Sequence, residues 1–271
     1  MQDLCIKDSQ QIAKAMRILI LELALAGGDK AAHIGGALSC IDFLAVSNQI
    51  FRLSDSPSSM QSLVLSKGHA CLSLYSLLIR SGIVNKEDVL NTFEKDGSLF
   101  LGHPCRCPEI GINFSTGSLG NGLAHALGLA IYRNQNSISI SSKPVIAIVG
   151  DGECNEGLIW ECLEFISQLR LPNLIVFVDC NGWQQTQESL YSNDKYESFY
   201  QRIKTYDISV FKVDGHNHRE IYNALLSNES KSKVILGMTV KGKGFSQLED
   251  INDWHHGILT QSMFEDLISD C

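Results

Sequence analysis

A chain of 271 residues with a formal net charge of −8 is long enough to bury one substantial α/β core, and its acidity works against a polyanionic partner. Basic residues form no cluster beyond Lys241 and Lys243, so nucleic-acid binding has little electrostatic support. The longest apolar stretch, Ile18 to Ala26, contains Glu22 and is far too short to span a bilayer, and Met1-Gln2-Asp3-Leu4 lacks the basic flank of a secretory signal, so a cytoplasmic protein without membrane contact is expected.

In chain order, apolar residues at helical spacing predict a first helix over Ser9 to Ala26, stopped by Gly27-Gly28, and a second over Gly36 to Asn48. His33 falls in the loop between them. Ser62-Leu63-Val64-Leu65 predicts a short strand running into Ser66-Lys67-Gly68-His69, with a helix over Ala70 to Arg80 behind it, which puts His69 at a strand's carboxyl end. His103 lies between a glycine and a proline in an irregular stretch. Leu119 to Tyr132 predicts a helix entered through Gly117, Gly120 and Gly122, residues that let a ligand approach the backbone closely. The Ser-rich patches Ser54 to Ser62 and Ser137 to Ser142 are short enough to be loops. No repeat, low-complexity tract or linker divides the chain, and a single domain over 1–271 is expected.

Nine cysteines are scattered, odd in number and free of any CxxC pair. Only Cys105-Arg106-Cys107 is close-spaced; it reads either as two reduced loop thiols or as half of a metal clip, and the clip needs two further ligands that the sequence does not place.

Pro144 to Val149 and Asn173 to Val178 are short, continuous, β-branched apolar runs of the kind found in strands buried on both faces. Between them Glu156 to Leu169 places Leu158, Ile159, Cys162, Leu163, Phe165, Ile166 and Leu169 at helical spacing, which completes a strand–helix–strand unit. A right-handed crossover then sets Asp151 and Asn181 on one carboxyl edge of a mostly parallel sheet flanked by helices, the edge where open α/β sheets bind ligands. Asp151 and Asn181 offer hard oxygen ligands suited to Mg²⁺ or Ca²⁺, while Gly150 and Gly152 let the backbone come close to phosphate oxygens. Either motif alone is equally an ordinary turn. The pair at this spacing indicates a metal-bound diphosphate.

Gly150-Asp151-Gly152-Glu153-Cys154-Asn155-Glu156-Gly157, Trp160-Glu161, Leu171-Pro172-Asn173 and Asp179-Cys180-Asn181 resemble the thiamine-diphosphate motif of transketolases. His33-Ile34-Gly35-Gly36, Ser66-Lys67-Gly68-His69-Ala70, Gly102-His103-Pro104 and Thr116 to Gly122 agree in order, and Val213-Asp214-Gly215-His216 and Thr239 to Gly244 extend the likeness over nearly the whole chain. The resemblance implies an α/β thiamine-diphosphate-binding fold with Mg²⁺ (or Ca²⁺) held by Asp151, Asn181 and a backbone carbonyl at Trp183. It implies further that His69 contacts the diphosphate, with Gly117, Ser118, Leu119, Gly150, Gly152, Glu153, Glu161 and Lys241 around the cofactor. His33 and His103 would face the reacting carbons and hydroxyls of a sugar, where imidazole can donate or accept a proton. Trp254-His255-His256-Gly257 resembles the segment carrying a further active-site histidine; the register favours His255 and leaves His256 as the alternative. Glu156 would join a carboxylate network reaching the partner's catalytic glutamate, with Glu161 at the same contact between chains, although the start of a helix favours acidic residues in any case.

Full-length transketolases join this domain to a pyrimidine-binding domain and a C-terminal domain, and 271 residues cover only the first. The resemblance therefore implies the N-terminal subunit of a split transketolase, inactive alone and completed by a second subunit carrying those two domains, with two copies of each chain. Such an enzyme moves a two-carbon ketol unit from a ketose to an aldose, here a sugar or sugar phosphate whose identity is not legible. Asn121 stands where glutamine is frequent and Gln185-Thr186-Gln187-Glu188 replaces a glycine-containing segment, but neither removes a metal ligand. The alternatives are a deoxyxylulose-phosphate synthase-like or 2-oxo acid decarboxylating component, and a non-catalytic cofactor-binding subunit. His33, His69 and His103 together favour transketolase.

Overall fold

The computed structural model describes residues 2–136, 143–185, 187–190 and 195–269; the loop expected over Ser137 to Ser142, together with Thr186, lies outside them. Helices α1 (Gln2–Ala26), α2 (Ile34–Ser39) and α3 (Ile41–Phe51) precede strand β1 (Leu63–Leu65), and α4 (Cys71–Arg80), α5 (Lys86–Thr92) and α6 (Asn121–Gln135) follow it. Then come β2 (Val145–Gly150), α7 (Gly157–Leu169), β3 (Leu174–Cys180), the short strands β4 (Trp183–Gln184) and β5 (Gln187–Glu188), and α8 (Lys195–Ile203). The chain continues with β6 (Ser209–Asp214), α9 (His218–Leu226), β7 (Lys233–Met238) and α10 (Gln261–Ser269).

The order β1-β2-β3-β7-β6 makes a five-stranded sheet in which every pairing is parallel, with β4 and β5 as a separate antiparallel pair. Its two faces are covered by different helices. Ile146, Ile148, Ile175, Phe177 and Ile235 pack toward the face that also holds Ile20, Phe43 and Tyr75. Val145, Ala147, Val149, Val176 and Val234 pack toward the other, with Leu123 of α6 and Ile166 of α7. Burial on both faces explains why these strands read as unbroken apolar runs rather than alternating ones. Phe43 stacks on Phe177 with ring centroids 3.9 Å apart, which pins α3 to the middle of the sheet.

Three boundaries differ from expectation for physical reasons. The first helix starts at Gln2 rather than Ser9, because Ser9 is buried and bonds the Ile6 carbonyl and His218 instead of opening a helix. The helix expected over Gly36 to Asn48 is two helices broken at Cys40, where the backbone leaves helical geometry, and His33 occupies the position just before α2. Glycine sets the third: at φ +85° Gly120 cannot be helical, so α6 begins at Asn121 rather than Leu119.

Candidate cofactor site

The carboxyl ends of four parallel strands feed one cavity of about 280 Å³. β1 delivers Lys67 and His69, β2 delivers Gly150 to Gly152, β3 leads to Asn181 and Trp183, and β7 leads to Lys241. His33 enters from the start of α2, His103, Gly117 and Leu119 from the loops before α6, and His255 from the turn before α10. Close backbone contact holds these loops in place: a Cβ on Gly68 would lie 2.6 Å from the Thr116 carbonyl carbon, so only glycine lets the β1 end touch the 116–120 loop.

Under the cavity lies an ion pair closed to solvent. Lys67 Nζ donates to Asp179 Oδ2, and the two residues are 1% and 0% exposed. The same oxygen accepts from Ser39 Oγ at 2.5 Å and Asn181 Nδ2 at 3.2 Å, while Oδ1 accepts from Thr239 Oγ1 at 2.5 Å. Burial works against the Lys67 charge, but the Asp179 carboxylate outweighs it and holds the ammonium above its ordinary value. Asp179 thus gathers α2, β1, β3 and the end of β7 around one carboxylate.

Asp151, 1% exposed, accepts from Gly152 N–H at 2.8 Å on Oδ1, and from Gly182 N–H at 3.0 Å and the Tyr196 hydroxyl on Oδ2. Burial nevertheless pushes its carboxyl up to about 6, with the Asp179 carboxylate adding to the rise. Asp151, Glu153 and Asp179 are three buried carboxylates set against two buried ammoniums, Lys67 and Lys241. That balance suits an added cation. Among the described residues no three His, Cys, Asp or Glu side chains form a metal-holding group, while Asp151, Asn181 and Trp183 all line the cavity. Asn181 Oδ1 accepts from Trp183 N–H at 3.1 Å, a tight turn around Gly182, whose own N–H reaches Asp151 Oδ2.

Four imidazoles, His33, His69, His103 and His255, crowd the other wall, with His256 behind His33. From His33 the ring centroids of His69, His103, His255 and His256 lie 5.6, 5.7, 5.2 and 4.5 Å away. Burial lowers His33 to about 3, helped by His256, His255 and His103; burial and then Lys67 hold His69 well below the usual value; burial and Lys241 lower His255 to about 4. These three rings are therefore neutral near pH 7, each with a ring nitrogen able to accept a proton or hydrogen bond. His255 lines the cavity, whereas His256 is exposed and borders a smaller pocket of about 80 Å³ behind His33. Lys241 Nζ donates to Asn252 Oδ1 at 2.8 Å and lies 5.5 Å over the Trp183 ring.

The remaining sequence candidates divide. Glu153 is a brace, since Oε1 accepts from Ser66 Oγ and Gly120 N–H and Oε2 from Gly150 N–H, tying the β2 turn to the β1 end and the 117–120 loop. Glu156 borders the cavity and is exposed. Glu161 and Ser118 are exposed and stand outside the cavity lining. Sequence reasoning missed Lys67, Asp179 and Tyr196 as members of the site. Asp179 directly follows an apolar run and Lys67 stands one residue beyond another, and that is the signal that could have found them; nothing in the sequence joins Tyr196 to Asp151. The expected loop thiols Cys105 and Cys107 are both unbridged.

Residues 8–267 match a family model described as the transketolase, thiamine diphosphate binding domain. The chain is 33% identical over 248 residues to one of the subunits of the apulose-4-phosphate transketolase of Phocaeicola vulgatus, covering 88% of this chain and 85% of that one. It is likewise 33% identical over 275 residues to the 6-deoxy-6-sulfo-D-fructose transketolase subunit SqwG of a Clostridium species, covering 97% and 96%. Human transketolase is 31% identical over 207 residues, and there the match spans only 32% of the longer chain. Among solved structures, Campylobacter jejuni transketolase superposes with a TM-score of 0.84 at 25% identity, over 97% of this chain and 42% of that one.

Proposed function

The chain belongs to the transketolase N-terminal, thiamine-diphosphate-binding family, and on that premise we propose that it is the cofactor-anchoring subunit of a split transketolase that transfers a two-carbon ketol unit from a ketose to an aldose. The observation that carries this reading is the convergence of Asp151, Asn181, His69 and Lys241 with His33, His103 and His255 on one carboxyl edge.

Bound thiamine diphosphate supplies the carbanion chemistry that breaks and forms the carbon–carbon bond. Asp151, Asn181 and the Trp183 carbonyl would hold Mg²⁺, and His69 and Lys241 would bind the diphosphate. Lys67 counters the negative charge from below while remaining committed to Asp179. His33, His103 and His255 would exchange protons and hydrogen bonds with the hydroxyls of a sugar.

The partner reading rests on the two relatives named as transketolase subunits and on exposed apolar residues of α7. Phe165 and Leu169 of α7 are 57% and 44% exposed, on the helix that also carries the exposed Glu161. A second chain bearing the pyrimidine-binding domain would cover that apolar surface and bring Glu156 next to its own catalytic carboxylate, in an assembly of two copies of each chain. The experiment is reconstitution: the purified chain with thiamine diphosphate and Mg²⁺ should transfer no ketol unit until such a partner is added. Robust turnover by this chain free of any other polypeptide rejects the split-enzyme reading.

A further inference from the structure

The turn that carries Lys241 is gripped from outside the cavity by a buried polar cluster. Asp42 of α3, 3% exposed, accepts on Oδ2 from Arg17 Nη2 at 2.5 Å and His216 Nδ1 at 2.7 Å, and on Oδ1 from His218 Nε2 at 2.9 Å. Burial opposes its charge, but the two imidazoles and the guanidinium together hold the carboxyl well below the usual carboxylate range. None of these four residues lines the cofactor cavity.

The cluster reaches the turn at two points. His216 Nε2 accepts the Val240 N–H at 2.8 Å, and Arg17 Nε donates to the Lys243 carbonyl at 3.0 Å. Because Nε2 is an acceptor, the His216 proton sits on Nδ1 and points at Asp42, which fixes the ring's tautomer and its tilt. One residue before Lys241 and two residues after it are thereby clamped to α1, α3 and the loop after β6. Between the clamps Gly242 adopts φ +79°, where a Cβ would collide with the Leu248 carbonyl oxygen, and its N–H donates to the Gly35 carbonyl at 3.0 Å. The Lys241 backbone has little freedom left.

We propose that Asp42 and His216, braced by Arg17, form a positioning unit that sets where the Lys241 ammonium stands in the cofactor cavity. The proposal rests on the reading of that cavity as the diphosphate site. A lysine side chain is flexible, so the placement of its charge depends on where its Cα is anchored and on the direction the backbone gives it. An Asp–His pair usually orients an imidazole toward a metal or a reacting group. Here it orients an acceptor toward a backbone N–H, and the output is the position of the residue that follows.

The test is a double-mutant cycle on the full chain, titrating thiamine diphosphate in the presence of Mg²⁺ by calorimetry. His216→Ala should weaken binding by about tenfold, the scale typical of lost outer-sphere support. In a Lys241→Met background the same substitution should change affinity little, because the residue through which it acts is gone. His216→Gln, whose side-chain oxygen can accept the Val240 N–H, should restore most of the affinity. Asp42→Asn serves as a second probe if His216→Ala fails to fold, with the same dependence on Lys241 expected. Equal losses in both backgrounds, or no rescue by glutamine, would overturn the proposal. If Lys241→Met weakens binding and His216→Ala does not, the positioning role fails while the cofactor reading stands; if the wild-type chain shows no affinity at all, both fail.

Discussion

Lys67 and Asp179 form an ion pair that solvent does not reach, at the point where α2, β1, β3 and the end of β7 meet. The two charges come from residues 112 positions apart, and neither has another residue of opposite charge bonded to it among the described residues. Breaking such a pair by removing one partner leaves a bare buried charge and typically costs about 3–5 kcal/mol, whereas replacing both by apolar groups is often far milder. Lys67→Met should therefore lower stability in urea unfolding by roughly that amount, and Lys67→Met with Asp179→Leu should recover part of the loss. Equal stability of Lys67→Met and wild type would show that the pair is not closed to water.

Asp151 serves the ligand at the expense of the empty fold, because its carboxyl is pushed up to about 6 by burial with only neutral donors bonded to it. Asp151→Asn keeps the shape and removes the charge. The variant should remain folded by circular dichroism and lose Mg²⁺-dependent binding of thiamine diphosphate in calorimetry, since a hard divalent ion depends on anionic oxygen. Wild-type affinity in this variant would move the metal site elsewhere.

His33→Ala and His103→Ala should spare cofactor binding and slow turnover of the assembled enzyme by about 10²–10⁴-fold, the usual effect of losing a positioned acid or base. Between the adjacent pair, His255→Ala should slow turnover more than His256→Ala, because His255 lines the cavity and His256 is exposed behind His33. Steady-state rates with a ketose donor and an aldose acceptor settle each case. The reverse order for the pair would mean that the partner chain rotates the 252–256 turn.

The strand–helix–strand core was legible because both sheet faces are covered, which leaves β2 and β3 as unbroken apolar runs ending at Gly150 and Cys180. The position of Asp151 and Asn181 on one edge followed from crossover handedness alone. Lys67 was hidden for the opposite reason: a lysine after a strand reads as a solvated residue, and only the arrival of Asp179 from the neighbouring region of the sheet makes its burial tolerable. The break at Cys40 was equally invisible, since the apolar spacing continues through it; what breaks the helix is the geometry that brings Ser39 Oγ to Asp179. Asp42, His216 and His218 are brought together by long-range packing between α3 and α9, which no local periodicity records.

The two buried lysines should part company as pH rises. Lys67 is held above its ordinary value by Asp179 and stays charged, whereas Lys241 is lowered to about 8 by burial and by the nearby Lys67 ammonium. A bound diphosphate favours the charged form of Lys241, so above pH 8 binding must be accompanied by proton uptake at this residue. Affinity for thiamine diphosphate should accordingly fall from about pH 8 upward, approaching a tenfold loss per pH unit at the steepest. Lys241→Arg, which keeps its charge throughout this range, should flatten the profile without the large loss of affinity expected for Lys241→Met. Calorimetry in buffers of different ionisation enthalpy reads the proton uptake directly. An unchanged alkaline limb in Lys241→Arg would assign the titration to another group and remove Lys241 from the diphosphate contact.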